Sequence, residues 1–144
     1  MSVTTPTTEL DAVNVMLTSI GESPVNTLGS GLQEAEIAEV VLDNVSRDVQ
    51  SAGWHFNTEI RYKLIRTATK TINLPDNVVK IDKTSLLRDY NLDVVERGRQ
   101  LYDRIGNKYT FDDDIEVDMV VLLPFNELPE VARRYITLRA ARTY

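Results

Sequence analysis

The residues best suited to chemistry in this chain are few. One histidine, His55, stands in Gly53-Trp54-His55-Phe56. An imidazole can act as a general base or a metal ligand near neutral pH. No partner signature surrounds this one, so a junction residue beside two aromatics is expected. The run Phe111-Asp112-Asp113-Asp114-Ile115-Glu116-Val117-Asp118 gathers carboxylates of the kind that hold calcium or magnesium. Counted from Asp112, the glycine and glutamate positions of an EF-hand loop hold Val117 and Leu123. A turn feeding the exposed face of a strand explains the same residues. Asp103, Asp112 and Glu116 are the acids a carboxylate hydrolase would use, but no pair has a separation that the sequence fixes. Gly29-Ser30-Gly31 lacks the third glycine and the preceding strand of a phosphate loop. Neither a Gly-x-Ser-x-Gly elbow nor a His-Glu-x-x-His pair occurs, and there is no cysteine. No catalytic group, metal site or cofactor is expected.

The remaining chemistry is charge. The net charge is −6 and unevenly spread. Residues 1–53 hold eight acids and one base, 54–126 twelve acids and eleven bases, and 127–144 two acids and four arginines. An acidic chain lacks the footprint of a tight DNA binder, although it can surround DNA without gripping it. The arginines Arg133, Arg134, Arg139 and Arg142 suit a partner's carboxylates or phosphates, against the plainer reading of a solvated helix face. Glu36, Glu39 and Asp43 form the opposing acidic face. These seven residues are the candidate subunit or partner interface. No apolar run is long enough to span a membrane, and the start, Met1-Ser2-Val3-Thr4-Thr5-Pro6, has no secretory pattern.

Three helices should position these charges. Residues 8–20 read as the first, with Thr8 as N-cap, Asp11 completing a capping box, and Leu10, Val13, Met16, Leu17 and Ile20 on one face. Residues 31–52 read as the second, capped by Ser30 and Gln33, with Ile37, Val40, Val41, Val45 and Val49 as its buried stripe and Gly53 at its C-terminal end. A last helix starts near Pro129, with Val131, Tyr135 and Leu138 sharing a face. It reaches Tyr144 without a stop signal and reads as cut short. Between them the period becomes alternating. Ile60, Tyr62 and Leu64 mark a half-buried strand, and short strands are expected at 71–74, 78–81, 93–96, 100–102 and 109–111. Residues 114–123 form the clearest strand, with Ile115, Val117 and Met119 facing inward.

The segregated order argues an α+β fold, a helical bundle of two N-terminal helices and one C-terminal helix with a β-rich insertion between them. The expected division is 1–53 helical, 54–126 strand-rich, and 127–144 returning to the helices. The helices are expected to hold the core and the strands to project from it.

Several local patterns are similar to the tail tubular protein A family, the head-to-tail adaptors of short-tailed bacteriophages. They are Glu9-Leu10-Asp11-Ala12-Val13-Asn14 leading to Ser19-Ile20-Gly21-Glu22-Ser23-Pro24-Val25, then Gln50-Ser51-Ala52-Gly53-Trp54-His55-Phe56-Asn57, then Leu101-Tyr102-Asp103-Arg104, then Leu128-Pro129-Glu130 with Arg133, Arg134 and Arg139-Ala140-Ala141-Arg142. The resemblance implies a virion protein, assembled in the bacterial host cytoplasm, that forms a ring of twelve copies below the portal protein. The ring would continue the DNA ejection channel, receive the tail nozzle of tail tubular protein B type, and contribute to tail-fibre attachment. Double-stranded DNA would pass through without sequence-specific binding. Members of the family usually continue into a further C-terminal helical segment. The resemblance supplies no active-site motif. Two other classes compete with it: a small monomeric binding module, and a carboxylate-based cell-wall hydrolase.

Overall fold

The structure, a computed structural model, describes residues 5–83 and 92–144. The fold is α+β, with strands between N-terminal and C-terminal helices. The chain divides into two compact units, Met1–Ala52 with Leu123–Tyr144, and Gly53–Leu122.

The first unit is helical. Helix α1 spans Glu9–Ser19. Its expected capping box is present: the Asp11 amide donates to Thr8 Oγ1 at 3.1 Å, and the Thr8 amide to Asp11 Oδ2 at 3.0 Å. Helix α2 spans Gln33–Gln50 and helix α3 Glu130–Thr143. All three pack on one another. The side chains that meet are small at many positions: Ala12, Ala35, Ala38, Ala132 and Ala140 are buried beside Val13, Met16, Leu17, Leu42 and Ile136. Alanines cost little helix propensity and let helix axes approach closely.

Two expectations for α2 are corrected. Its N-cap is Leu32, with no side-chain cap bond, so Ser30 and Gln33 do not form a capping box. Its buried stripe is Ala35, Ala38, Leu42, Val45, Ser46, Val49 and Gln50. Ile37 and Val40 are exposed and Val41 is half-buried. The helix carries more apolar residues than one face can bury, and the face with Ala35 and Ala38 is the one its neighbours cover.

The chain of this unit is tied together over long sequence separations. Thr7 donates to Glu130 twice, from its amide at 2.7 Å and from its hydroxyl at 2.6 Å. Gln50 and Leu123 exchange hydrogen bonds, the Leu123 amide donating to Gln50 Oε1 at 2.8 Å and Gln50 Nε2 to the Leu123 carbonyl at 3.1 Å. Asn14 pairs with the backbone of Val25 through both side-chain atoms, fixing the loop after α1.

The second unit is built on strands β1 Thr58–Leu64, β2 Val78–Lys83, β3 Val94–Arg97, β4 Gln100–Asp103 and β5 Ile115–Val121. β5 lies between β1 and β2 in an antiparallel sheet, and β3–β4 form a hairpin. The hairpin loop is Gly98-Arg99, both with positive φ, 62° and 64°, as a type I′ turn requires. The central strand alternates as expected, Ile115, Val117 and Met119 being buried, and becomes wholly buried at Val120 and Val121. Ile72, Leu74, Val78, Val94, Leu101 and Phe111 complete a core that belongs to this unit. The expectation that the helices hold the core is therefore corrected: the strands bury their own.

β1 is also corrected. Leu64 is buried, but Ile60 and Tyr62 are exposed. The pairing with β5 shifts between Glu59 and Tyr62, and Arg61 adopts φ 53° with its amide bonded to Asp118 Oδ1 at 2.9 Å. A bulge of this kind re-aims the residues around it and breaks the two-residue alternation. The 71–74 and 109–111 segments make only isolated bridges, Thr71 to Thr110 and Asn73 to Gln100.

Candidate assembly interface

Of the catalytic candidates, Asp112 and Glu116 line one cleft, and Asp103 and His55 are not among its lining residues. Asp103 is buried and bound into its own turn: its amide donates to the Lys108 carbonyl at 2.9 Å, and its Oδ1 accepts from the Ile105 amide at 3.0 Å. His55 is exposed, its ring edge-on to Phe56 at 5.5 Å. Asp112, Asp113, Asp114 and Glu116 line a cleft of about 440 Å³ with Lys63 and Lys108. Arg66 organises this run. Its amide donates to Asp114 Oδ1 at 2.9 Å, and its guanidinium to the Asp112 carbonyl at 2.5 Å. The Arg66 N–H first, and the charges of Arg66 and Lys63 after it, hold the Asp114 carboxyl below the usual range. No group of three or more metal-binding side chains occurs among the described residues.

The charged candidates fall on α2 and α3 of the helical unit. On α3, Arg134, Arg139 and Arg142 are exposed. Arg133 is different. Its guanidinium donates to three carbonyls of its own chain, those of Leu128 at 2.7 Å, Thr7 at 2.8 Å and Asn126. It staples the start of α3 to the segment before α1. Beside it, the two Thr7 hydrogen bonds keep the Glu130 carboxyl below its ordinary value.

Glu36 and Asp43 are exposed on α2 and Glu39 is half-buried. Asp43 pairs with Arg47 at 3.0 Å, one turn away, both side chains being mostly in water. Glu39 and Asp43 also face Glu9 of α1, whose carboxyl is raised by burial first and by these two charges next.

Sequence reasoning missed what lies between the charges. Val131, Tyr135 and Leu138 share a face of α3, as expected, but that face is turned to solvent, at 82%, 52% and 50% exposure. The opposite face, Ala132, Ile136, Thr137 and Ala140, is buried. At about 100° per residue, Arg134 and Arg139 flank the exposed stripe on either side and Arg142 ends it. α2 repeats the plan with opposite sign. Ile37 and Val40 are 47% and 60% exposed. Glu36 and Asp43 border them on one side and Asp48 on the other, by the same helical spacing. The available signal was the second, alanine-containing period in each helix, which competes with the larger apolar residues for the core.

A family model described as tail tubular protein matches residues 10–144. Tail tubular protein A of Klebsiella phage KP34 is 29% identical over 128 residues, which cover 89% of this chain and 66% of that protein. The chain therefore spans just under two thirds of that relative's length. A bundle with unpartnered charged and apolar helix faces suits a component that is covered on assembly. With a match running from the first helix to the last residue, the chain belongs to the tail tubular protein family, the structural proteins of phage tails.

Proposed function

We propose that this chain is the adaptor subunit of a short-tailed phage, forming a ring that joins the portal to the tail nozzle and continues the channel through which DNA leaves. The observation that supports it most directly is the exposed, arginine-flanked apolar face of α3. Val131, Tyr135 and Leu138 stand in solvent while the opposite face of α3 is buried, and an aligned apolar patch of this kind marks an interaction surface. Family membership adds the setting, a phage tail. In this reading about twelve copies assemble in the host cytoplasm, contact the nozzle and tail fibres, and become part of the virion. A closed ring needs two different patches on each copy. The acidic face of α2, with Glu36, Glu39 and Asp43, and the basic face of α3, with Arg134, Arg139 and Arg142, supply them, while Arg133 serves folding. The overall acidic balance keeps the channel from holding DNA by its phosphates. The role is mechanical, not catalytic.

Native mass spectrometry and electron microscopy of the purified chain, alone and with its phage's portal, test this reading. Closed rings that bind portal are the expected result. A chain that stays monomeric at every concentration and ignores portal would overturn it. Purified protein should also leave cell-wall polymers uncleaved. Turnover that is lost in an Asp112→Asn, Glu116→Gln double variant would show the adaptor role to be incomplete.

A further inference from the structure

We infer that the Val131–Tyr135–Leu138 stripe of α3 seats on the Ile37–Val40 stripe of α2 in a second copy of this chain, as the apolar centre of the copy-to-copy contact. The inference rests on the ring reading and goes further, because it assigns the contact to apolar faces rather than to charge alone.

Three observations carry it. First, each stripe lies on the side of its helix opposite the buried one. The two point away from the bundle's interior, so they cannot meet within one copy. Second, the stripes have matching composition: a few apolar side chains in the middle and charge along the borders, the usual layout of an interface centre with a polar rim. Third, the signs decide the pairing. Two α3 stripes face to face would set Arg134, Arg139 and Arg142 against the same arginines. Two α2 stripes would set Glu36, Asp43 and Asp48 against the same acids. Like-charge juxtaposition in an interface is costly. An α3–α2 contact places the arginines of α3 beside carboxylates of α2 on both borders. That contact is heterologous, and repetition of it propagates from copy to copy.

The absence of native cysteine gives a clean test. Ile37→Cys and Leu138→Cys are made singly and together in the full chain, treated with a short bis-maleimide, and resolved on denaturing gels. The double variant should give a ladder of covalent multimers. Its yield should exceed either single variant about tenfold or more, because positioned thiols react at a high effective concentration. Mixing the two single variants should give dimer and nothing larger. Dimers from Leu138→Cys alone would overturn the pairing in favour of a symmetric α3 contact. Closed rings by native mass spectrometry without a ladder from the double variant would also overturn it and leave the ring reading standing. No rings and no ladder would remove both.

Discussion

The two units of this chain build their cores from different materials. The helical unit buries alanines at many of its contacts and leaves larger apolar side chains, Ile37, Val40, Val131, Tyr135 and Leu138, in water. The strand unit buries Val78, Val94, Val117, Val120, Val121, Ile72 and Ile115 with Leu101 and Phe111. Its exposed apolar residues, such as Ile60, Ile65, Val79 and Ile105, are scattered over strands and turns rather than aligned on one face. The helical unit thus completes its own packing with small residues and retains an organised apolar surface. The strand unit uses its β-branched residues on itself. A contact surface on helices does not require a weakened core when close-packing alanines supply that core.

The sharpest way to break this comparison is to place a charge on opposite faces of one helix. Ile136→Asp puts an unpaired charge where exposure is 0%, and should abolish folding of the helical unit at a cost of several kcal/mol. Val131→Asp, five residues earlier, should cost the isolated chain no more than about 0.5 kcal/mol. Equal damage in circular dichroism melts would show that α3 has no free face. Val117→Asp is the matching change in the strand unit and should be as severe as Ile136→Asp.

Gly53→Ala should cost about 1–3 kcal/mol. Gly53 has φ 82°, and an added Cβ would stand 3.1 Å from Val120 Cγ2. An alanine variant with an unchanged melt would show that the strand unit tolerates a shift there.

Acid should act on both units. Glu130 in the helical unit and Asp114 in the strand unit have carboxyls below their ordinary values. A depressed folded pKa means that the unfolded chain takes up the proton first as pH falls. The stability these groups contribute is present above their unfolded values, 4.5 and 3.8, and is lost as pH falls through the lower folded ones. Glu130→Gln should flatten the acid dependence of the helical signal and leave that of the strand unit alone, with Asp114→Asn doing the reverse. Melts between neutral and strongly acidic pH check both. The smallest effect belongs to Ile60→Thr, within about 0.5 kcal/mol. A larger loss would return Ile60 to the interior where simple alternation places it.

That last case shows what the sequence could and could not carry. Local signals were legible. The Thr8–Asp11 capping box and the alternation of β5 each follow from a few neighbouring residues, and the order of elements gave the α+β class. The orientation of α2 and α3 was not legible, because each helix has two apolar faces and periodicity cannot say which one its neighbours cover. The choice depends on how closely alanines let helices approach, a property of the packed pair. β1 failed for another reason. The shift near Arg61 depends on the Asp118 carboxylate, far along the chain, and nothing around Ile60 encodes it. Among the site residues, sequence reasoning found the charges on α2 and α3 but grouped Arg133 with the exposed arginines. Its three carbonyl partners come together only once Thr7 and Asn126 are neighbours.

The clasp between Thr7, Glu130 and Arg133 has a consequence for synthesis. A ribosome releases the strand unit as one continuous stretch, complete once Leu122 has emerged. The helical unit is interrupted. Its first two helices emerge early, yet the packing of both against α3 has to wait until α3 has been made. Domains generally fold as units as the chain is made. The strand unit should therefore mature first on the ribosome, and the helical bundle close later, once α3 has emerged. The exposed α3 stripe, made after the strand unit, then becomes available for a neighbour only once the helical bundle can close.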